Sequence, residues 1–441
     1  MHESASVFWN LSRLDKPRRL VGGSVSLIVA GAACLAGFAI VALLSDDGLR
    51  AQDHGGGYLA AWSGDEDRED SDFLAVINVD SSSLDYGQVV STSSVGERST
   101  NPHHTEYSFT AGHPLFASGF AGNRMFRFDL SNPLRPRFVG AVETPSALAF
   151  SHSLERLPNG NVLVTMQARN EHLDGPGGMA EFRDDGTVVQ WASADADVGE
   201  SLVRPYSLAP VPGRDRLVTA SSVMGVPPWH PKRQELRDES LGFHLQLWRL
   251  SDLSLLSTVA LTASRESEAH LLPYEPRLLD DGETVLVTTS RCGLWRVRGL
   301  EIESFTADLV YDFEGRGCAV PLSIGRFWIQ SIASTHQVVV LDVGDSGHPV
   351  EVSRVQFNER QLPHWLAFDE RESRVVMVNA PAPLAERRIW MLDFDAATGQ
   401  LTLDERFRDV GSEQPGVNFD RIEWPHGPTG SAIPHGSVFL N

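Results

Sequence analysis

The sequence predicts an all-β fold: a seven-bladed β-propeller over residues 58–441, preceded by an N-terminal transmembrane or signal segment. Three observations predict it. Beyond residue 58 no long segment has helical period, and short β-rich runs alternate with turn signals such as PNG, PGRD and DDG. Four units hold one thirteen-residue register: His152 to Thr165 in HSLERLPNGNVLVT, Tyr206 to Thr219 in YSLAPVPGRDRLVT, Glu275 to Thr288 in EPRLLDDGETVLVT, and Cys318 to Ser331 in CAVPLSIGRFWIQS. With looser copies opening at His104, His364 and Asp420, the seven starts are separated by 48, 54, 69, 43, 46 and 56 residues. That is propeller-blade spacing, and a pair of β-sandwiches would not keep the register.

Residues 1–19 read as a cytoplasmic n-region, and residues 20–44, LVGGSVSLIVAGAACLAGFAIVALL, carry no charge. Such a run is long enough to span a bilayer. Arg13, Lys16, Arg18 and Arg19 precede it and Asp46 and Asp47 follow it. The positive-inside rule then places the rest of the chain outside the cytoplasm, periplasmic or extracytoplasmic, either anchored or exported. The Arg18–Arg19 pair suits a twin-arginine signal. Cys34 follows Ala33 in a poor lipoprotein site, with Gly31 where leucine is usual. Residues 45–57, SDDGLRAQDHGGG, read as a linker.

Each registered unit from residue 58 on is a strand, a tight turn and a second strand. The 69-residue gap contains VMGVPPWHPKRQELRDESLG, residues 223–242, which reads as an inserted loop. In a propeller the first strand of each blade lines a central channel, so equivalent positions converge. His104, His152, Tyr206, Glu275, Cys318, His364 and Asp420 would form a ring. Imidazoles, carboxylates and a thiol around one opening suit copper or zinc better than magnesium; a polar, water-filled channel without an ion would show the same pattern. His103 adjoins His104 in NPHHTEYSF, and neighbours on a strand point to opposite faces. Both can serve one site only from a loop ahead of the strand; otherwise the pair is a solvated surface loop.

Net charge is −21, which argues against a nucleic-acid partner. The chain has only two lysines, Lys16 and Lys232. Beyond Cys34 only Cys292 and Cys318 remain, and two cysteines give no disulfide framework. Trp229–His230 and His270 are site or loop residues, and His426 and His435 either line the channel or cap its far end.

These residues resemble the selenium-binding proteins, whose bacterial members include copper-dependent methanethiol oxidases. DFLAVINVDSSSLDYGQVV, residues 72–90, is similar to that family's opening strand. NPHHTEYSF matches its Asp-Glu-Leu-His-His-x-Gly-Trp stretch at His103 and His104. FSHSLERLPNG resembles its Pro-His-Thr-Val-His-Cys-x-Pro-Asp-Gly stretch at His152, with Glu155 replacing the second histidine. LLPYEPRLL is similar to its Pro-Leu-Glu-x-Arg-Phe-x-His stretch at Glu275 and Arg277, with Asp280 in the histidine's place. RPYSLAPVPGRDRLVTASSVMGVPP and FHLQLWRLSDLSLLSTVAL resemble its third blade and long loop. DRIEWPHG resembles its His-Glu-x-Arg-Tyr-Pro-Gly-Gly segment, with Asp420 for the histidine. Where the family has Cys-Ser-Ser-Cys this chain reads FTAGHPLF.

The resemblance implies copper and the oxidation of methanethiol with oxygen and water to formaldehyde, hydrogen sulfide and hydrogen peroxide. His103, His104, His152, His364, Cys318 and Asp420 would bind metal, Tyr206 would meet substrate, and Glu275 would be a further ligand or accept protons, with Arg277 orienting it. One alternative is a non-catalytic extracytoplasmic propeller that binds a ligand or protein. Another is a lactonase or arylsulfotransferase-like enzyme, whose strand pattern HSLERLPNGNVL also fits.

Overall fold

The computed structural model describes residues 57–440 apart from 171–174, 197, 199–201, 225–241, 263–267 and 303. The uncharged run at 20–44, Cys34, most of the expected loop at 223–242 and Trp229–His230 lie outside the described residues.

Seven antiparallel sheets follow one another. Blade 2 is Pro102–Thr105, Leu115–Gly119, Arg124–Asp129 and Arg137–Glu143, from the channel outward. Blades 3, 4, 5 and 7 begin with inner strands Ala149–Arg156, Pro205–Val211, Pro273–Leu278 and Pro363–Asp369. Blade 6 has a short inner strand, Leu322–Ile324, and Cys318 reaches it through an isolated bridge to Ile332. Blade 7 gains a fifth strand, Val417–Asn418. Blade 1 takes its inner strand, Ala432–Leu440, from the chain's C-terminal end, pairing it with Tyr58–Asp65. Each inner strand contacts the next, and Pro363–Asp369 meets Ala432–Leu440 to close the ring. Among the described residues there is no α-helix.

Strand residues alternate between the two faces of a blade, and both faces are covered by neighbours. Val285 and Val287 pack toward blade 4, whereas Leu286 packs toward blade 6. This explains apolar runs such as VLVTT and RVVMVN, which read as doubly buried strands. Apolar clusters fill the space between every pair of neighbouring blades, and a small extra one around Phe120 and Phe150 adds to the seam of blades 2 and 3. Trp62 with Phe126 and Phe128 joins blades 1 and 2, and Trp365 with Leu59 and Phe73 joins blades 7 and 1. Trp248 with Leu163 joins blades 3 and 4. The outermost strands are more exposed, as in Val350–Gln356.

Cys292 and Cys318 form a disulfide. It ties the turn before the third strand of blade 5 to the start of blade 6, and both cysteines are fully buried. The two cysteines from which no disulfide framework could be read are thus paired with each other.

Candidate metal centre

The channel residues are aimed by one repeated irregularity. In blade 2, Pro102 pairs with Gly119 and Thr105 with Ala117, three steps against two. In blade 3, Ser151 pairs with Met166 and Leu154 with Val164. The register slips likewise between Pro205 and Ser207, Pro273 and Glu275, and Pro363 and Trp365. In blade 1, Ala61 pairs with Ser437 and Ser63 with Pro434, which puts the extra residue at His435–Gly436. Blade 6 also spends one extra residue between Cys318 and Leu322. Each is a β-bulge, in which two residues oppose one and a side chain is re-aimed. This is how His103 and His104, neighbours inside a strand, both reach the channel; the expectation that they precede the strand is corrected. Proline fits before the bulge because the inner strand is a sheet edge, where a missing N–H leaves nothing unpaired.

Five imidazoles gather. His103 Nε2 lies 2.9 Å from His152 Nε2. The rings of His103 and His104 stack at 4.5 Å, and that of His152 lies 4.3 Å from His104. One ligand atom each from His103, His104 and His152 can be chosen within 4.8 Å of one another. His435 brings its ring to 4.3 Å from His103 and 4.9 Å from His364. It reaches so close because residue 436 is glycine: a Cβ there would sit 2.7 Å from His103 O.

Contacts from Tyr206 and Ser153 fix the rings. His152 Nδ1 meets Tyr206 O at 2.8 Å and can donate to it, which leaves Nε2 with its lone pair. His104 Nδ1 contacts Ser153 Oγ at 3.0 Å, and among the described residues no hydrogen-bond partner reaches His104 Nε2. Burial holds His103, His104, His152 and His435 well below the usual imidazole range, and holds His364 to about 4. Neutral imidazoles are what a metal requires of its ligands.

Beside the imidazoles lies a carboxylate centre. Glu275 Oε2 accepts from Tyr107 OH at 2.9 Å, Ser207 Oγ at 2.8 Å and Arg277 Nη1 at 2.9 Å. Ser153 Oγ lies 3.1 Å from Tyr107 OH and can donate to it, linking the two groups. The Arg277 guanidinium lies over the Tyr107 ring at 3.9 Å. Glu155 is pushed up to about 7 by burial, with Glu106 and Glu275 adding and Arg277 opposing. Tyr206 stacks on Tyr274 at 4.2 Å and closes one wall.

Of the expected site residues, His103, His104, His152, His364, Tyr206, Glu275 and Arg277 come together. Cys318 does not qualify: its sulfur is bound to Cys292, so no thiolate is available. Asp420 is also corrected. It is exposed beyond blade 7 and bonds Ser431, because the seventh inner strand starts twelve residues later, at Ala432. Asp280 is exposed in a turn. His426 bonds Thr92 and Thr429 on the surface. His270 lies in a turn ahead of the blade 5 inner strand. His435, expected either to line the channel or to cap its far end, lines it, while Tyr274 and Tyr107 were missed. A signal existed: proline followed by histidine or tyrosine at 102, 205, 273, 363 and 434. It has one decoy, Pro425–His426, which runs into GPTG rather than into a strand.

No protein-family profile matches the sequence. The chain is similar to a methanethiol oxidase of Hyphomicrobium sp., 29% identical over 174 residues, which are 37% of this chain and 38% of that protein. The match therefore spans well under half the relative's length. In fold it is similar to a hypothetical selenium-binding protein from Sulfolobus tokodaii, with TM-score 0.67 and 16% identity over 87% of this chain and 93% of that one. A periplasmic gluconolactonase from Pseudomonas aeruginosa shares the architecture at TM-score 0.61 and 16% identity, over 88% and 99%.

Proposed function

We propose that this chain is a divergent relative of the selenium-binding proteins, exported from the cytoplasm, whose channel binds a transition metal and oxidises a small thiol. The observation that carries this reading is the convergence of His103, His104 and His152, buried and neutral, with nitrogens within 4.8 Å. All-imidazole donors suit copper or zinc and not magnesium or calcium. The partial likeness to a methanethiol oxidase favours copper and a thiol such as methanethiol. The buried disulfide favours an oxidising compartment outside the cytoplasm.

His103, His104 and His152 would hold the metal, which when bound acidifies a coordinated thiol and exchanges electrons with oxygen. The remaining steps belong to the protein. Ser153 and the Tyr206 carbonyl fix the imidazole tautomers. Tyr107 and Ser207 hold the Glu275 carboxylate in place, with Arg277 balancing its charge. Glu155, poised near neutrality, accepts the proton that the thiol sheds. The Tyr206–Tyr274 stack offers an apolar wall to a methyl group.

Metal analysis of protein expressed without a histidine tag in copper-replete cells tests the reading, followed by a methanethiol assay that measures sulfide and peroxide. Bound copper with thiol turnover is expected. A metal-free protein would overturn the metal centre and leave a non-catalytic propeller. Bound metal with lactone or sulfate-ester hydrolysis instead would overturn the thiol chemistry.

A further inference from the structure

His435 has both ring nitrogens buried without a hydrogen-bond partner of good geometry, beyond a loose approach to the His103 backbone. Neutral imidazole carries one donor and one acceptor, and burying both unpaired is costly. His364 leaves Nε2 in the same condition. Their rings lie 4.9 Å apart, on the inner strands of blades 1 and 7. Two separate bulges, at Pro363–Trp365 and at His435–Gly436, are needed to aim them there. The close-approach glycine, Gly436, lets this strand pass against the backbone of residues 103–105. Yet the tight triad is complete without them: among the described residues, only His103, His104 and His152 form a group of three or more that brings ligand atoms within 4.8 Å of one another.

We infer that the channel takes two metal ions, the first on His103, His104 and His152 and the second on the adjacent pair His364 and His435. The inference rests on the reading of the channel as a metal centre. The second ion would complete its coordination with solvent or substrate, because the protein offers it two nitrogens. Soft or borderline ions that accept imidazole suit that pair. Two adjacent ions would give the channel a place for a substrate atom between them.

The test is metal stoichiometry, with no activity needed. Tag-free protein is stripped, titrated anaerobically with cuprous ion and, separately, with zinc ion, and the bound equivalents are counted by mass spectrometry of the intact protein and by elemental analysis. Two equivalents are expected for the natural sequence. The variant His364→Asn/His435→Gln should bind one, and His152→Ala/His104→Ala should lose the tighter one and keep the other. Circular dichroism and a melting curve establish that each variant is folded. One equivalent that is indifferent to His364 and His435 overturns the second ion and leaves the triad reading intact. One equivalent whose affinity falls at least tenfold in the His435 variant also overturns it, in favour of a single shared site. No bound metal overturns both.

Discussion

His103 Nε2 and His152 Nε2 lie 2.9 Å apart, although the two residues stand on the inner strands of different blades. Two lone-pair-bearing nitrogens meet so closely only if one carries a proton or an ion sits in its stead. The contact therefore ties blade geometry directly to ligand chemistry.

Replacing both His104 and His152 by alanine should abolish copper binding at the triad. The His152 contact with Tyr206 O is lost, but that carbonyl still accepts from Thr165 Oγ1. The stability cost should stay at about 2 kcal/mol. Elemental analysis and urea unfolding check the two halves. Retention of full metal content would overturn the ligand assignment.

Glu275 and Arg277 form a buried pair, with side chains 1% and 15% exposed. Glu275→Ala strands a buried guanidinium and should cost about 3–5 kcal/mol. Glu275→Gln/Arg277→Met removes both charges and should recover most of that loss. Urea midpoints of the three proteins decide it, and equal destabilisation of both variants would contradict the pairing.

The disulfide closes a loop of 26 residues. Cys292→Ser/Cys318→Ser should lower stability by about 3 kcal/mol. Metal content should not change, because Cys318 is not a ligand. A fall in bound copper that accompanies unchanged melting would reinstate the thiol as a ligand.

The pH dependence has two limbs in metal-free protein. The depressed histidines contribute stability that is present above pH 6.5 and is lost as pH falls toward their folded values, about 4 for His364. Glu155, raised from 4.5 to about 7, acts oppositely: its contribution is present below 4.5 and is lost as pH rises through 7. Urea midpoints from pH 5 to 8 should fall on the acid side. The decline approaching pH 8 should vanish in Glu155→Gln. A flat profile in the natural sequence would rule out buried, neutral imidazoles.

The propeller was legible because the thirteen-residue register measures a strand, a turn and a return strand, and that length is set by blade depth. Five of the seven starts fall within an inner strand, and Cys318 lies four residues before one. Asp420 failed because the ring closes with a strand from the far end of the chain, and pairing between Ala61 and Ser437 leaves no local periodicity. The bulges were illegible for a different reason. Alternation assigns His103 and His104 to opposite faces, and only pairing to the neighbouring strand reveals the extra residue. Cys318 held the right place in the register, but a spacing cannot tell a ligand from half of a disulfide.

The inner strand Ala432–Leu440 also sets an order of events. A chain emerging from the ribosome makes blades 2 to 7 from its own consecutive hairpins, but blade 1 waits for residues 432–440, which follow all of them. His435 arrives with them. A truncated or nicked chain would lose ring closure and an imidazole together, since both reside in one nine-residue strand. Contacts of such sequence separation form late. A complete five-imidazole pocket would then exist only in ring-closed molecules, so full loading would discriminate against partly folded intermediates.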